Sequence, residues 1–157
     1  MTAFEIFDRL EQTAIGEAIR NSSWLFPVVE ALHLVGLALL GGAVLLVDLR
    51  LLGFGLTTRS PAYLVGQARP WLWSALALMF ATGIPLFLSE ALKCYGSPPF
   101  ALKMGALALA LVYTFGVRNR LVGRLSPAAH WRARALGGIS LLLWFTVAAS
   151  GRWVGFY

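Results

Sequence analysis

The chain is poor in the residue types that most catalytic and metal-binding domains use. Its 157 residues include one cysteine, Cys94, and two histidines, His33 and His130. A single cysteine excludes a disulfide within the chain and argues against a thiolate metal cluster built from one copy. There is also no nucleophile elbow, phosphate-binding loop or Ser-His-Asp arrangement, so the sequence favours a protein that is not an enzyme.

Charged residues are scarce as well. They make up 13% of the chain, against 59% apolar residues and a mean hydropathy of +0.74. These values exclude an ordinary soluble domain and indicate an integral membrane protein. The net charge of +6 does not indicate nucleic-acid binding, because the basic residues lie mostly in short loops between apolar segments. The lipid bilayer is the expected partner, and no nucleic acid is expected.

Four long apolar segments predict an all-α fold. Spans are expected at about residues 24–46, 71–91, 100–117 and 135–156, within a single membrane domain that takes the whole chain, 1–157. Residues 3–20 have apolar side chains at helical spacing and acids on the other face, which predicts an amphipathic helix on the membrane surface or packed against the bundle end. The expected fold is an integral membrane four-helix bundle with an N-terminal amphipathic interfacial helix.

The distribution of basic residues predicts the orientation. The loops after the first and third spans carry eight of the 13 lysines and arginines, and the positive-inside rule places such loops in the cytoplasm. Four spans return the chain to the side on which it began. Both termini are therefore expected on the periplasmic side of a bacterial inner membrane, in a multi-pass protein. The first twenty residues show no basic start followed by an apolar core, so no cleavable signal peptide is expected.

Ionisable residues within the spans form the candidate site. Such groups are costly in a membrane unless they are paired or face a wet cavity. Glu30 and His33 are three residues apart and share a helical face. With the orientation above, every span contributes an ionisable group to the outer half of the bundle. The candidate ligand pocket consists of Glu30, His33, Glu90, Lys103 and Arg152.

Simpler roles remain open for the same residues. Lys103 and Arg152 are near enough to the boundary to extend to lipid headgroups, and Glu90 could cap the end of its span. Glu30 and His33 could form a purely structural pair. Asp48 lies 18 residues after Glu30, on the same stripe of the first span. It is expected to form a structural ion pair with an inner-side arginine such as Arg118 or Arg69, of which Arg118 is the favoured partner.

A haem is one candidate cofactor, and haem b is the form that would fit. Four-helix membrane cytochromes hold haem between ligands on facing helices. His33 and His130 differ in depth by roughly 20 Å or more at 1.5 Å per residue, so they cannot ligate one haem. His33 with Met79, or His33 from two subunits, would be required.

A transition metal and a small anion are the other candidates. Glu30 and His33 have the spacing that di-iron bundles use, and Glu90 could add a carboxylate, although Lys103 and Arg152 would oppose a cation. A pocket with these two bases around His33 would suit a small anionic ligand or a proton relay. The cofactor is left unknown.

Several segments resemble an uncharacterised family of small bacterial four-helix membrane proteins, from about residue 20 to the end. The resemblance implies the fold but no function. More distantly, the first span is similar to copper-resistance membrane proteins of the CopD type, in which a histidine on a Gly-rich helix belongs to a proposed metal or haem region. Only His33 maps onto that histidine, and the methionine-rich and multi-histidine features of a copper carrier are missing. The segments that carry the resemblance are Glu30-Ala-Leu-His33, 47–53 (Val-Asp-Leu-Arg-Leu-Leu-Gly), Thr82-Gly, 89–95, 97–104 and 151–157.

The leading functional expectation is a small inner-membrane subunit that binds a cofactor or ligand in the outer polar pocket. One alternative is a proton- or ion-conducting transporter component. Another is a structural or assembly subunit, as a homo-oligomer or within a larger membrane complex. Oligomerisation would then use small-residue helix faces, namely Gly41-Gly42, Gly137-Gly138, Ala106 and Ala110.

Overall fold

The computed structural model describes residues 2–125 and 130–156, and within these ranges it contains helices and no strands. The all-helical prediction is confirmed. Tyr157, the last residue of the C-terminal segment named above, lies outside the described residues. The elements are α1 Ala3–Glu11, α2 Ala14–Arg20, α3 Leu25–Leu52, α4 Pro61–Ser89, α5 Ala91–Tyr95, α6 Pro98–Leu111, a π-helical turn Val112–Arg118, α7 Asn119–Val122 and α8 His130–Val154.

Four helical segments are long and apolar enough to cross a membrane: Leu25–Leu52, Pro61–Ser89, Pro98–Val122 and His130–Val154. The third comprises α6, the π-helical turn and α7. The second begins at Pro61 rather than near residue 71, because Ser60 caps the helix by accepting a hydrogen bond from the backbone nitrogen of Tyr63 at 3.2 Å. The chain is thus a multi-pass membrane protein by its helices.

The spans pack as α3 against α4 and α8, and α6 against α8. Buried apolar side chains from all four spans form one core, including Val44, Leu72, Ala110 and Val147. Gly137 brings α8 close to α3, since a Cβ at this position would lie 2.9 Å from the carbonyl oxygen of Asp48.

The small residues considered for oligomerisation divide into two groups. Ala106, Ala110 and Gly137 are buried within the chain, where they serve contacts between its own helices. Added Cβ atoms at Gly41, Gly42 and Gly138 would meet nothing within 4 Å. Only this second group could face a neighbour.

The N-terminal segment forms two helices rather than the single one expected over 3–20. The first ends at Glu11, and Thr13 caps the second by accepting a hydrogen bond from the nitrogen of Gly16 at 3.3 Å. Both helices pack where α4 meets α5. The carboxylate of Glu11 accepts a hydrogen bond of 2.7 Å from the nitrogen of Leu92, and Gly16 lies against the carbonyl oxygen of Leu88.

The packed helices have two distinct ends. The end formed by the C-terminus of α3, the N-termini of α4 and α8, and α7 is called the arginine end below. The opposite end, against which α1 and α2 pack, is called the N-terminal end.

Candidate functional site

His33 lies in the α3–α4 contact, in the half of α3 nearer the N-terminal end. Its Nδ1 is 2.8 Å from Oγ1 of Thr82. The Thr82 hydroxyl donates to the carbonyl oxygen of Leu78 at 2.7 Å. Because that hydrogen is used, the hydroxyl oxygen accepts from Nδ1, which assigns a proton to Nδ1; in the neutral imidazole this is the Nδ1–H tautomer. The lone pair of the imidazole is then on Nε2.

Two glycines make room for this arrangement. A Cβ at Gly83 would lie 3.1 Å from Cε1 of His33, so only glycine admits the ring without a shift. One turn away, Met79 fills the space over Gly36, its Sδ and Cγ 3.2 Å from the position of a Cβ. Met79 and His33 therefore lie on successive turns of one helix contact. Each side chain packs directly against the facing helix, His33 on Gly83 and Met79 on Gly36.

Lys103 lies on α6, toward the same end of the packed helices as His33 on α3. Its half-buried stem passes over Gly151 of α8, with Cε 3.5 Å from the position of a Cβ there. A histidine and a lysine are therefore both placed between helices toward the N-terminal end.

The other three residues of the expected pocket are arranged differently. Glu90 ends α4 and pairs with Lys93 at 3.7 Å, with 44% and 43% of their side chains exposed. The Arg152 guanidinium is exposed and lies 4.6 Å from the ring centroid of Phe156. Glu30 is exposed on α3. Within residues 2–125 and 130–156, no ion pair joins any two of the five residues.

A metal site in one chain would need more ligands than are assembled here. Among the residues that the structure describes, no group of three or more His, Cys, Asp or Glu side chains could hold a metal ion. Glu30 and His33 alone would leave a metal incompletely coordinated. A metal-bearing ligand would have to supply further coordination itself or receive it from another subunit.

A second polar site lies nearer the arginine end. Nη1 of Arg118 donates to Oδ1 of Asp48 at 2.6 Å and to Oγ of Ser140 at 3.1 Å. Asp48 and Arg118 side chains are both 0% exposed. The structure therefore brings together the two residues expected to form a structural ion pair and adds Ser140. In the described part of the chain, Oδ2 of Asp48 and Nη2 of Arg118 have no hydrogen-bond partner.

The π-helical turn Val112–Arg118 brings Arg118 to this position. Ala106, Ala110, Thr114 and Arg118 are all buried, at every fourth position. On a regular α-helix each such step turns the side chain by about 40°, so the four would drift off one face. A π turn has more residues per turn and offsets the drift. Thr114 thereby accepts a hydrogen bond of 3.0 Å from the Trp144 indole.

The sequence analysis did not identify Thr82, Thr114 or Ser140 as polar partners. The feature of the sequence that could have identified Thr114 is that it continues a series of small residues spaced four apart, after Ala106 and Ala110. Thr82 and Ser140 carried no signal in their own helices, because their roles depend on which face of a neighbouring helix they meet.

An apolar layer separates the two polar sites. His33 and Asp48 are 15 residues apart on α3, about 22 Å at 1.5 Å per residue. Between their levels the core contains Leu40, Val44 and Ala110, each at most 2% exposed. The two polar sites are therefore separate features of the protein.

The helices and the polar groups buried between them define the class of protein: a multi-pass helical membrane protein. The chain belongs to DUF6644, a family of unknown function, whose family model matches residues 13–157. The resemblance to an uncharacterised family is thereby confirmed. No curated protein and no solved structure matches the chain.

Proposed function

We propose that this protein is a non-catalytic membrane subunit that binds a ligand through Nε2 of His33. The single observation that carries this is the Thr82 hydroxyl, which accepts from Nδ1 of His33 and leaves Nε2 as the free lone pair. Histidines that ligate metals or haem are held in this way, with the other ring nitrogen bonded to a neighbouring oxygen.

The charge near His33 narrows the class of ligand. A lysine ammonium opposes a bare cation and favours an anionic group. His33 would bind the iron of haem b, and Lys103 would pair with its carboxylates. A second ligand to the iron would come from another copy or another subunit. A small acidic molecule would instead donate to Nε2 and pair with the ammonium. A bare transition metal held by Glu30 and His33 fits less well, since Lys103 opposes it and the described residues offer no third ligand.

The membrane setting is part of the proposal. The protein is a single-domain four-helix bundle of a bacterial inner membrane, with the arginine end in the cytoplasm and both termini in the periplasm. The eight arginines around the arginine end support this orientation. Helices α1 and α2 lie at the periplasmic surface of this inner membrane, beside the ends of α4 and α5. The site at His33 then opens toward the periplasmic half.

The structural or assembly role is the main alternative, and the buried Asp48–Arg118 pair favours it. That pair joins α3 to the third span without facing any open space. Conduction of protons or ions receives less support, because Leu40, Val44 and Ala110 close the space between the two polar sites.

The test is a visible spectrum with elemental analysis of protein purified in a mild detergent. The wild type is compared with His33→Ala and with His130→Ala, a matched control because His130 is exposed at the arginine end. We expect a Soret band or stoichiometric metal in the wild type and in His130→Ala, and its loss in His33→Ala. If the protein is colourless and metal-free, haemin and inorganic phosphate are added as probes. Failure of the wild type to bind either would overturn the proposal and leave the structural role.

A second comparison tests the role of Thr82. Thr82→Val removes the hydroxyl that positions His33, and we expect ligand affinity to fall about 10- to 100-fold. Thr146→Val is the matched control, because Thr146 makes the same back-bond, to the Leu142 carbonyl at 2.8 Å, away from His33. Equal affinity in the two variants would exclude positioning by Thr82.

A further inference from the structure

The arginine end carries positive charge without compensating acids. Six exposed arginines lie there, and the chain's two lysines, Lys93 and Lys103, both lie toward the other end. Asp48 is the only one of the seven acidic residues near the arginine end, and Arg118 already neutralises it. The six arginines, called the arginine surface below, are Arg59, Arg69, Arg120, Arg124, Arg132 and Arg134.

Two arginines of this surface lie beside exposed aromatic rings. The guanidinium of Arg59 lies 5.3 Å from the ring centroid of Tyr63, and that of Arg132 lies 5.4 Å from the ring centroid of Trp131. Tyrosine and tryptophan lie preferentially at the level of lipid headgroups. The rings of Tyr63 and Trp131 are 47% and 70% exposed, so both are accessible to lipid, and we expect the two guanidinium groups at the level of the headgroups.

The loop between α3 and α4 is also held. Nε of Arg50 donates to the carbonyl oxygen of Arg59 at 2.7 Å, and Nη2 donates to that of Thr57 at 3.3 Å. Arg134 reaches the same loop, with Nη2 4.0 Å from the position of a Cβ at Gly53. Arginines from separate elements, α8 and the loop, are thus gathered beside the end of α3.

We propose that the arginine surface binds the phosphate groups of anionic phospholipids. The positive-inside rule is satisfied equally by lysine and arginine, so it does not account for a surface built from arginine alone. A guanidinium makes two parallel hydrogen bonds to one phosphate, which an ammonium cannot do. Six exposed guanidinium groups at one end of the helices, with no free acid beside them, match a leaflet rich in negatively charged lipid. This surface is independent of the site at His33.

Binding of two fluorescent lipids to the full-length protein in neutral detergent provides the test. We expect the protein to bind phosphatidylglycerol several-fold more tightly than phosphatidylcholine at low salt, with the preference decreasing as salt is added. Equal binding of the two lipids by the wild type would overturn the proposal.

Charge-preserving variants separate phosphate recognition from general attraction. The triple variant Arg59→Lys, Arg132→Lys, Arg134→Lys keeps the net charge and the topology signal. We expect it to lose about fivefold or more of its affinity for phosphatidylglycerol, because each bidentate contact becomes a single one. Arg9→Lys, at an exposed arginine of α1, is the matched control and should bind as the wild type does. A triple variant with unchanged affinity would show that only charge matters and would refute guanidinium recognition.

Discussion

Arg118 donates a hydrogen bond of 2.6 Å to Asp48 at a position where neither side chain has any exposed surface. The pair connects α3 to the third span, and Ser140 of α8 accepts a second bond from the same nitrogen. Three of the four spans thus meet at one guanidinium. Loss of either charge would leave the other buried without compensation.

The first prediction concerns this pair. Arg118→Met should lower the free energy of unfolding by about 3–5 kcal/mol, because it leaves the Asp48 carboxylate buried and unpaired. The double variant Asp48→Leu, Arg118→Met should recover most of the loss, since it removes both charges. Unfolding in detergent with increasing dodecyl sulfate measures both. Arg120→Met, at an exposed neighbour, is the control, and equal stability of the two single methionine variants would contradict the prediction.

The second prediction uses two adjacent glycines of α8. Gly137→Ala should destabilise the protein by about 1–3 kcal/mol, because the new methyl group would overlap the Asp48 carbonyl and Leu51 and separate the helices. Gly138→Ala should leave stability unchanged or slightly raised, as its methyl group meets nothing within 4 Å. Thermal unfolding of both variants in the same detergent compares their stabilities with that of the wild type. If Gly138→Ala is the more damaging change, the close α3–α8 contact at Gly137 is wrong.

The third prediction concerns the attachment of the N-terminal helices. Glu11 accepts a hydrogen bond from Leu92 and pairs with Arg20 at 3.2 Å. Glu11→Ala should release α1 and α2 and speed tryptic cleavage after Arg9 and Arg20. Mass spectrometry of the digest measures the rate of cleavage at the two arginines. Asp8→Ala is the control, because the Asp8 carboxylate accepts a hydrogen bond from Gln12 within the same N-terminal segment. Equal cleavage rates in the two variants would show that Glu11 does not hold the helices.

The fourth prediction concerns the only cysteine. Burial raises the pKa of the Cys94 thiol in α5, and the nearby Glu90 carboxylate raises it further. At any pH below the raised pKa, the folded protein has less thiolate than an unfolded chain, whose thiol has a pKa of about 8.5. Alkylation by iodoacetamide at pH 8 should therefore be slower in the folded protein than in dodecyl sulfate. The rate in the folded protein should keep rising above pH 9, where the unfolded chain levels off.

The control for this measurement is Cys94→Ser, which has no thiol to alkylate. Equal rates for folded and unfolded protein across the pH range would show that the thiol is not shielded.

The sequence was sufficient for the number of spans, because a run of apolar residues long enough to cross a bilayer is rare outside membrane helices. It was less informative about where each helix begins. Hydropathy placed the second span near residue 71, whereas the helix begins at Pro61, after the Ser60 cap, and contains Gln67 and Arg69. Hydropathy detects the apolar part of a helix, and capping residues determine its ends.

Some contacts between polar residues could be predicted from the sequence and others could not. The Asp48–Arg118 pair could be expected because a buried carboxylate at the basic end requires a cation. The Glu90–Lys93 contact was not predicted, because the sequence analysis placed Glu90 in the pocket or at the cap of its span, and the structure makes it the cap between α4 and α5. The His33–Thr82 hydrogen bond could not be predicted from the sequence, because it depends on the rotation of two helices about their own axes. The same limit applied to Lys103, whose position over Gly151 follows from the packing of α6 on α8.

The π-helical turn also has a consequence for comparing relatives. Between Val112 and Arg118 the chain uses more residues per turn than an α-helix, and this extra length places Arg118 opposite Asp48. A relative with one residue fewer there would continue as a regular α-helix and turn its arginine away from the first span. In an alignment of the family, a gap in this segment should therefore coincide with an uncharged residue at the position of Asp48.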